Sequence, residues 1–533
     1  MKLLSHLSPN GRPGTGRLPL PGDTRLLALG EEAWRSALAE AGDDAATALA
    51  WSRTRRGRLL LAALFGNSPF LTGVAAREWE FLTGLVESGA DAAFDAVMGS
   101  VATPLEDRTA AQLMRRLRVA RRRVALAVAV ADVAGAWDLE RQMQALTGFA
   151  EAALDAALHH LLRNAASDGT ISPEAAQPEN SGLIVLGMGK LGGGELNYSS
   201  DIDLILLYDP ARAAPLAREA LHSLFNHIAR ELVRILDQRT GDGYVFRTDL
   251  RLRPDPRSTP LVMSVDAALS YYETVGQNWE RAALIKARPV AGDRIAGDRF
   301  LAELQPYIWR KHLDFAAIAD VHSIKRQIQA HRGGGRIAVN GHDIKIGRGG
   351  IREIEFFAQT QQLIWGGRQP RLRVGATCEA LRRLAAAGQI DTASRNALID
   401  DYRFLRRVEH RLQMVDDAQT HRLPADDEGI ARLAAFLGYD DPSGFTGELV
   451  THLGSVEKHY AELFEEAPSL SGPGNLVFTG ADDDPGTLQT LAQMGSPIPP
   501  RSQPWCATGT TGGCARPAAR GRVKSSPSSC RNC

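Results

Sequence analysis

The sequence predicts an α+β protein in which one small unit of strands and helices lies between two mainly helical regions. Helical spacing of apolar residues runs from about Asp23 to Arg163 and returns from about Asp298 to Glu466. Between them, short apolar runs alternate with glycine-rich and turn-rich segments. At 533 residues the chain is also too long for one core. The predicted parts are an N-terminal helical region (1–165), a central unit (166–297), a helical bundle (298–468) and a linker with a tail (469–533).

In the N-terminal region, segments such as "AREWEFLTGLVESG" place apolar residues three and four positions apart, as amphipathic helices do. The longest apolar run, Val124 to Ala136, is too short to cross a bilayer and contains Asp132, so we predict a buried helix there. The arginine-rich piece "RRLRVARRR" (115–123) has two interpretations. It is either an anion-binding patch or, as we favour, a solvent-exposed helix face.

The central unit follows a polar stretch that is typical of a linker or loop, "NAASDGTISPEAAQPENSG". Its predicted elements are, in order, the strand "LIVLG", a glycine segment, the strand "DIDLILLYD", the amphipathic helix "REALHSLFNHIARELVRILD" and the strand "GYVFRTDLRLRP". Helical periodicity then returns, for example in "DYRFLRRVEHRLQMVDD".

Composition excludes several classes of protein. Lys and Arg together number 62, as do Asp and Glu, so no overall charge draws the chain to nucleic acid or to an anionic membrane. The N-terminus shows no signal pattern, and we expect a cytoplasmic protein. Cys378 stands alone in the body of the chain, so cysteines build neither a disulfide framework nor a zinc site there.

The end of the chain has a different composition from the rest. Asp484 is the last acidic residue, and Cys506, Cys514, Cys530 and Cys533 all follow it. The segment has no periodicity, so we predict a disordered tail, whose residue bias also fits a shifted reading frame.

The stretch "GMGKLGGGELNYSSDIDLILLYD" supports two kinds of site. Gly187, Gly189 and Gly192 match the G-x-G-x-x-G fingerprint of a dinucleotide cradle, with Asp209 placed as its ribose-binding acid. That fold needs a substantial helix before the next strand, however, and only "GGELNYSS" is available for it. We therefore favour the second interpretation, a metal site at the start of the following strand.

The metal interpretation rests on carboxylates that share one strand face. Residues two apart in a strand project together, so Asp201 and Asp203 repel each other unless a cation such as Mg²⁺ lies between them. The plain alternative is a solvated strand start. In the next strand Asp249 stands among Arg247, Arg251 and Arg253, which suits a third ligand beside phosphate-gripping arginines. Its alternative is a half-exposed strand of salt bridges.

Four segments in order, "GMGKLGGGELNYSSDIDLILLYD", "GYVFRTDLRLRPD", "GQNWERAALIKARPVAGD" and "GGIREIEFFAQTQQLIWGGRQPRLR", resemble the bifunctional glutamine synthetase adenylyltransferase/adenylyl-removing enzymes. That family belongs to the polymerase-beta-like nucleotidyltransferases and carries two such domains, each followed by a helical bundle. The resemblance implies such a domain here, in the copy that removes AMP from a tyrosine of glutamine synthetase. The likeness ends near Gly495, so we expect the second domain to be absent.

The resemblance also implies roles for individual residues. Mg²⁺ would bind Asp201, Asp203 and Asp249, which are also the catalytic residues. The residues expected to contact nucleotide or phosphate are Gly189, Lys190, Ser200, Arg247, Arg251, Arg253, Lys286 and Arg288. For Lys286 and Arg288 a strand with two outward charges is an equal alternative. Gly349 and Gly350 precede a predicted helix and either leave room for an anion, with Lys345 or Arg348, or allow close packing, which we favour.

The resulting functional expectation is Mg²⁺-dependent phosphorolysis, in which phosphate enters and ADP leaves. Two alternatives remain: adenylylation by ATP on the same fold, and a catalytically silent module that binds glutamine synthetase or a PII-type signal protein. Expected partners are therefore glutamine synthetase, a PII-type protein, ADP or ATP, and phosphate.

Overall fold

The structure, a computed structural model, describes residues 17–102, 109–213, 218–310 and 337–465. Over those ranges, none of the helices combines the length and apolarity needed to span a membrane. The predicted tail lies outside the described residues.

The N-terminal region is helical, as predicted. Its helices are α1 (Thr24–Ala41), α2 (Ala46–Ser52), α3 (Arg55–Phe65), α4 (Pro69–Arg77), α5 (Trp79–Ser88), α6 (Ala90–Ala102), α7 (Ala110–Val133) and α8 (Leu139–Ser167). The Asp23 side chain caps α1 by accepting hydrogen bonds from the N–H groups of Arg25 and Leu26. The run from Val124 to Ala131 is fully buried, which confirms the predicted buried helix segment.

The arginine-rich run on α7 is neither an anion patch nor a solvated face, so our favoured interpretation is wrong. Arg118 is fully buried and donates hydrogen bonds to the carbonyl oxygens of Met114, Gln238 and Gly243. Arg122 lies 2.8 Å from Glu78 in an ion pair. These guanidinium groups join helices that are distant in sequence, a role that the local charge pattern does not reveal.

The central unit contains one small mixed sheet, so the α+β class is confirmed. Its strands are β1 (Leu183–Gly187), β2 (Asp201–Tyr208), β3 (Arg247–Asp249), β4 (Val262–Ser264) and β5 (Arg288–Gly292). Strand β1 pairs antiparallel with β2 and with β5, while β3 and β4 pair parallel with different parts of β2. The link from β1 to β2 contains only the four-residue helix α9 (Gly189–Gly192). Antiparallel strands with so short a link exclude the dinucleotide fold, which needs a parallel β-α-β crossover.

Side chains alternate between two apolar layers along the sheet. Leu183, Val185 and Ile202 pack with the N-terminal helices, whereas Ile184 and Ile205 pack on the opposite face. The helices that complete the central unit are α10 (Arg218–Asp237), α11 (Val265–Thr274), α12 (Asn278–Leu284), α13 (Arg294–Glu303) and α14 (Gln305–Ile308). Helix α10 has the bounds that we predicted. Because one apolar layer includes both N-terminal helices and strands, the domain boundaries remain predictions.

The last described region is helical and has its own apolar core, centred on residues such as Tyr402, Leu405 and Phe445. Its helices are α15 (Ile351–Trp365), α16 (Thr377–Ala386), α17 (Thr392–Asp416), α18 (Asp427–Leu437) and α19 (Pro442–Glu465). Helix α17 extends toward the central unit, and its C-terminal end contacts the segment that leads into β2. This contact places the bundle beside the candidate site.

Candidate active site

Three aspartates meet where β2 lies beside β3. Asp201 and Asp203 stand on β2, and Asp249 ends β3. The parallel register pairs Asp203 with Asp249, and Asp201 with Arg247. Alternate residues of a strand share a face, so the carboxylates project from one face while Ile202 is fully buried on the other. The structure thus brings together the three carboxylates that the sequence indicated.

The electrostatic environments of these carboxylates differ. Burial, together with repulsion from Asp201 and Asp249, raises the pKa of Asp203 to about 6. Asp249 accepts hydrogen bonds from the Arg251 guanidinium, with Nε 2.8 Å from Oδ2, and this contact lowers the pKa of Asp249. The Arg251 side chain is 83% exposed, so opening this ion pair costs little free energy.

The Asp201–Asp203 pair fits a divalent cation, although the three carboxylates do not form a complete set of metal ligands. Among the described residues, no group of three His, Cys, Asp or Glu side chains is arranged to hold a metal ion. Arg251 donates hydrogen bonds to both oxygens of Asp249. Two neighbouring carboxylates, one with a raised pKa, are hard oxygen ligands of the kind that Mg²⁺ binds together with substrate phosphates. Asp249 can join them once Arg251 releases it.

Gly189 lies directly against the Asp203 carboxylate. Its φ is +50°, and a Cβ atom at this position would lie 2.9 Å from Asp203 Oδ2. We expect Gly189→Ala to displace the carboxylate and to lower turnover about a hundredfold, as ångström-scale misplacement does. The matched control is Gly194→Ala, because Gly194 has φ +70° but no atom within 4 Å of the added Cβ. Equal turnover by the two variants, measured in one assay, would show that the contact is irrelevant.

The raised pKa of Asp203 makes the stability of the metal-free protein depend on pH. The folded state holds the proton up to about pH 6, whereas the ordinary pKa of an aspartate is 3.8, so this group stabilises the fold at low pH. The contribution is lost as pH rises through about 6. From pH 4.5 to 7 we expect the wild-type free energy of unfolding to fall by roughly 2 kcal/mol relative to Asp203→Asn. Denaturant titrations in a chelating buffer measure this difference, and a constant difference would refute the assignment.

The remaining predicted residues on and after β3 support the local backbone. Arg247 donates to the Tyr244 hydroxyl at 2.7 Å and to the carbonyl and hydroxyl oxygens of Ser199, both at 2.9 Å. Arg253 donates to backbone carbonyl oxygens, including that of Pro256 at 2.8 Å. The strand predicted for 243–254 is therefore wrong outside Arg247–Asp249, because the side chains of Arg251 and Arg253 turn back onto their own loop. Ser200 is buried directly before β2.

The predicted basic residues around the glycine turn lie in a buried charge cluster. Lys286 Nζ lies 2.8 Å from Glu195 Oε2 and 3.3 Å from Glu355 Oε1. Burial lowers the pKa of Lys190 to about 8, and its ammonium lies 3.8 Å from both Glu355 and Glu409. Among the described residues, neither lysine forms an ion pair or a hydrogen bond with Asp201, Asp203 or Asp249.

Arg288 holds the glycine turn through hydrogen bonds to its backbone. It donates to the carbonyl oxygens of Leu191 and Gly192 and pairs with Glu151. Gly192 is required because a Cβ atom there would lie 1.9 Å from the carbonyl oxygen of Lys286. The third glycine of the fingerprint therefore permits close backbone packing, and the second leaves room for the Asp203 carboxylate.

Sequence reasoning missed the acidic half of this cluster. Glu355 comes from α15 in the segment "GGIREIEF", and Lys286 and Lys190 lower its pKa against the opposing effect of burial. Glu409 and Arg406 come from α17, are both fully buried and lie 3.1 Å apart. The available signal was the spacing of Arg406 and Glu409, which are three residues apart and therefore neighbours on one side of the helix.

The structure favours close packing for Gly349 and Gly350. A Cβ atom at Gly349 would lie 2.1 Å from the carbonyl oxygen of Leu453, and the φ of this residue is +70°. The N–H groups of Ile351 and Arg352 at the start of α15 donate to the carbonyl oxygens of Ile344 and Lys345. Those donors are therefore already used, and Arg348 pairs with Glu457 instead of an anion.

Comparison with known proteins gives consistent matches. The sequence model of glutamate-ammonia ligase adenylyltransferase matches residues 59–303, and that of GlnD PII-uridylyltransferase matches residues 322–464. Proteins named bifunctional glutamine synthetase adenylyltransferase/adenylyl-removing enzyme are similar over 82% of the chain. They include one from Mesorhizobium japonicum, 54% identical over 444 residues, and one from Brucella melitensis biotype 1, 53% identical over 440 residues.

The chain spans 45% of the length of each of these relatives. Its first matched segment covers most of the N-terminal helices and the whole sheet, including Asp201, Asp203 and Asp249. The second covers the helices that supply Glu355 and Arg406. By the similarity of its sequence, the chain belongs to the family of glutamine synthetase adenylyltransferase/adenylyl-removing enzymes.

Proposed function

We propose that the protein removes AMP from an adenylylated tyrosine of glutamine synthetase by phosphorolysis, with Mg²⁺ held by the three aspartates and ADP as the product. The observation that carries this proposal is the β2–β3 register, which sets Asp203 beside Asp249 and keeps Asp201 on the same face. Family membership supports the choice of glutamine synthetase as substrate, since the relatives are named for it. We assign the central unit to the polymerase-beta-like nucleotidyltransferase fold on the same grounds.

The proposed reaction needs stabilisation of negative charge and correct positioning of the reactants, and few further catalytic groups. An oxygen of inorganic phosphate attacks the phosphorus of the AMP group, the bond from phosphorus to the tyrosine oxygen breaks, and ADP and a phenolate form. A phenol with a pKa of about 10 is a fair leaving group, so no dedicated acid is required, and the phenolate takes its proton from water. Bound Mg²⁺ would stabilise charge on the transferring phosphoryl oxygens and orient the attacking oxygen.

The residues of this chain have separate parts in that scheme. Asp201 and Asp203, which have no ion-pair partner among the described residues, would hold the cation. Asp249 would serve as the third ligand once Arg251 released it, and the exposed Arg251 guanidinium would then be available to pair with phosphate. Gly189 provides space against Asp203 for the phosphate to approach.

A second function, docking to a PII-type signal protein, is favoured by a specific observation. The match to the PII-uridylyltransferase model covers residues 322–464, which include the described helices α15 to α18. We propose that this bundle contributes to such docking, in a cytoplasmic setting without nucleic acid or membrane partners.

The test is to identify the product. We expect the purified chain, given adenylylated glutamine synthetase, Mg²⁺ and ³²P-labelled phosphate, to form ADP labelled in its terminal phosphoryl group. Release of pyrophosphate from ATP, with AMP attached to unmodified glutamine synthetase, would instead identify the adenylylating reaction. Tight binding of a PII-type protein with neither product formed would identify the silent module.

A further inference from the structure

The two strands that carry the aspartates are connected to one residue at the end of α17, Asp417. This residue has φ +49° and ψ +37°, a left-handed conformation that few residues other than glycine adopt. Its backbone carbonyl oxygen accepts a hydrogen bond from Ser199 Oγ at 2.8 Å. Its carboxylate accepts one from the Tyr244 hydroxyl at 2.8 Å and lies 3.4 Å from Arg121.

The contacts with Ser199 and Tyr244 lie on the segments that lead into the two aspartate-bearing strands. Ser199 is two residues before Asp201 on the chain segment that enters β2, and its N–H donates to Gln413 Oε1 on α17 at 2.9 Å. Tyr244 lies shortly before β3, and its hydroxyl accepts a hydrogen bond from Arg247 at 2.7 Å. The end of α17 therefore contacts the segments that precede β2 and β3, outside the sheet itself.

Arg247 joins the two halves of this arrangement. It stands opposite Asp201 in the β2–β3 register, and its guanidinium bonds to Ser199 on one side and to Tyr244 on the other. Ser199, Tyr244, Arg247 and Asp417 thus form a closed circuit of hydrogen bonds, which we call the Asp417 clamp. Ser199 is buried and the other three residues are half-buried, so these hydrogen bonds are partly shielded from solvent.

We propose that Asp417 is a positioning residue, which acts through Ser199 and Arg247 to set the distance between the β2 carboxylates and Asp249. This inference rests on the proposed metal-dependent function and extends it to the bundle, since α17 would control the shape of a site to which it contributes no ligand. Residues behind metal ligands commonly change metal affinity or activity about ten- to a hundredfold when they are replaced.

The test uses the full chain and Mn²⁺, whose binding electron paramagnetic resonance reports without any substrate. Asp417→Gly keeps the left-handed backbone and removes the carboxylate, whereas Asp417→Asn keeps an acceptor for Tyr244. We expect Asp417→Gly to weaken Mn²⁺ binding about tenfold and Asp417→Asn to recover most of that loss. Asp416→Asn is the matched control, because Asp416 is the exposed neighbour on the same helix end.

Ser199→Ala provides a second, less disruptive variant. It should weaken Mn²⁺ binding as well. The double variant Ser199→Ala/Asp417→Gly should lose less Mn²⁺ affinity than the product of the two single fold-losses, because both changes act along one path. In the ADP assay, kcat should fall while the KM for adenylylated glutamine synthetase stays within about twofold. Mn²⁺ affinity unchanged in Asp417→Gly, or fully multiplicative losses, would overturn the proposal.

Failure of the proposed function would give a different result. A wild-type chain that binds Mn²⁺ but forms no ADP would reject the phosphorolysis reaction, while the Mn²⁺ affinities of the variants would still support or overturn the clamp. The melting temperature of each variant is measured as well, and values close to that of the wild type would exclude a general loss of folding as the cause.

Discussion

Replacing Asp203 by Asn should lower ADP formation by on the order of a thousandfold while the protein remains folded. Burial raises the pKa of Asp203, and the charges of Asp201 and Asp249 raise it further. The amide keeps the size of the side chain but removes the charge that attracts a cation. Because that charge is unfavourable in the metal-free fold, the variant should be at least as stable as the wild type at neutral pH.

The matched control for this variant is Asp209→Asn. Asp209 ends the same apolar run and is buried, but its carboxylate accepts a hydrogen bond from the N–H of Ala211 at 2.9 Å and takes no part in the three-aspartate site. Turnover and Mn²⁺ binding are the two measurements. Retention of both by Asp203→Asn would remove the metal assignment.

The second large effect should be on stability, from Arg406→Leu. The Arg406 guanidinium is fully buried and donates to the Tyr402 hydroxyl at 2.6 Å and to the Glu195 carbonyl oxygen at 2.7 Å, and it lies 3.1 Å from Glu409. Its removal leaves the Glu409 carboxylate buried, and among the described residues only Lys190 is then within ion-pair distance, at 3.8 Å. We expect a loss of about 3–5 kcal/mol in the free energy of unfolding.

Denaturant titration measures that loss. Arg395→Leu is the matched control on the same helix, because within the described part of the chain the Arg395 side chain bonds only to the neighbouring Asn396, and it should change stability by less than about 0.5 kcal/mol. Replacing Arg406 and Glu409 together by apolar residues should restore much of the loss, since no buried charge is then left alone. A single variant as stable as the control would contradict the account of the cluster.

The sequence predicted those parts of the structure that depend on local pattern. The strands of Leu183–Gly187 and Asp201–Tyr208, and the helix Arg218–Asp237, follow directly from their periodicity. The face shared by Asp201 and Asp203 follows from the two-residue repeat of a strand. Asp249 was found because a carboxylate among arginines is unusual, even though the predicted strand around it proved too long.

The parts that could not be predicted depend on partners distant in sequence. Nothing near Arg118 shows that its guanidinium bonds to the backbone around Gly243, so the local pattern wrongly suggested an exposed face. In the same way, Lys286 appeared to be a substrate contact until the structure placed Glu195 and Glu355 around it. A charged residue in a sequence carries no mark of whether its partner is a substrate or another side chain.

The central claim is that Asp201, Asp203 and Asp249 form one metal site, and Mn²⁺ anomalous diffraction from crystals of the full chain tests it most directly. We expect an anomalous peak in contact with Asp201 and Asp203, with Arg251 turned away from Asp249. Crystals soaked in Mn²⁺ that show no peak at this position, with Arg251 still bound to Asp249, would contradict the account.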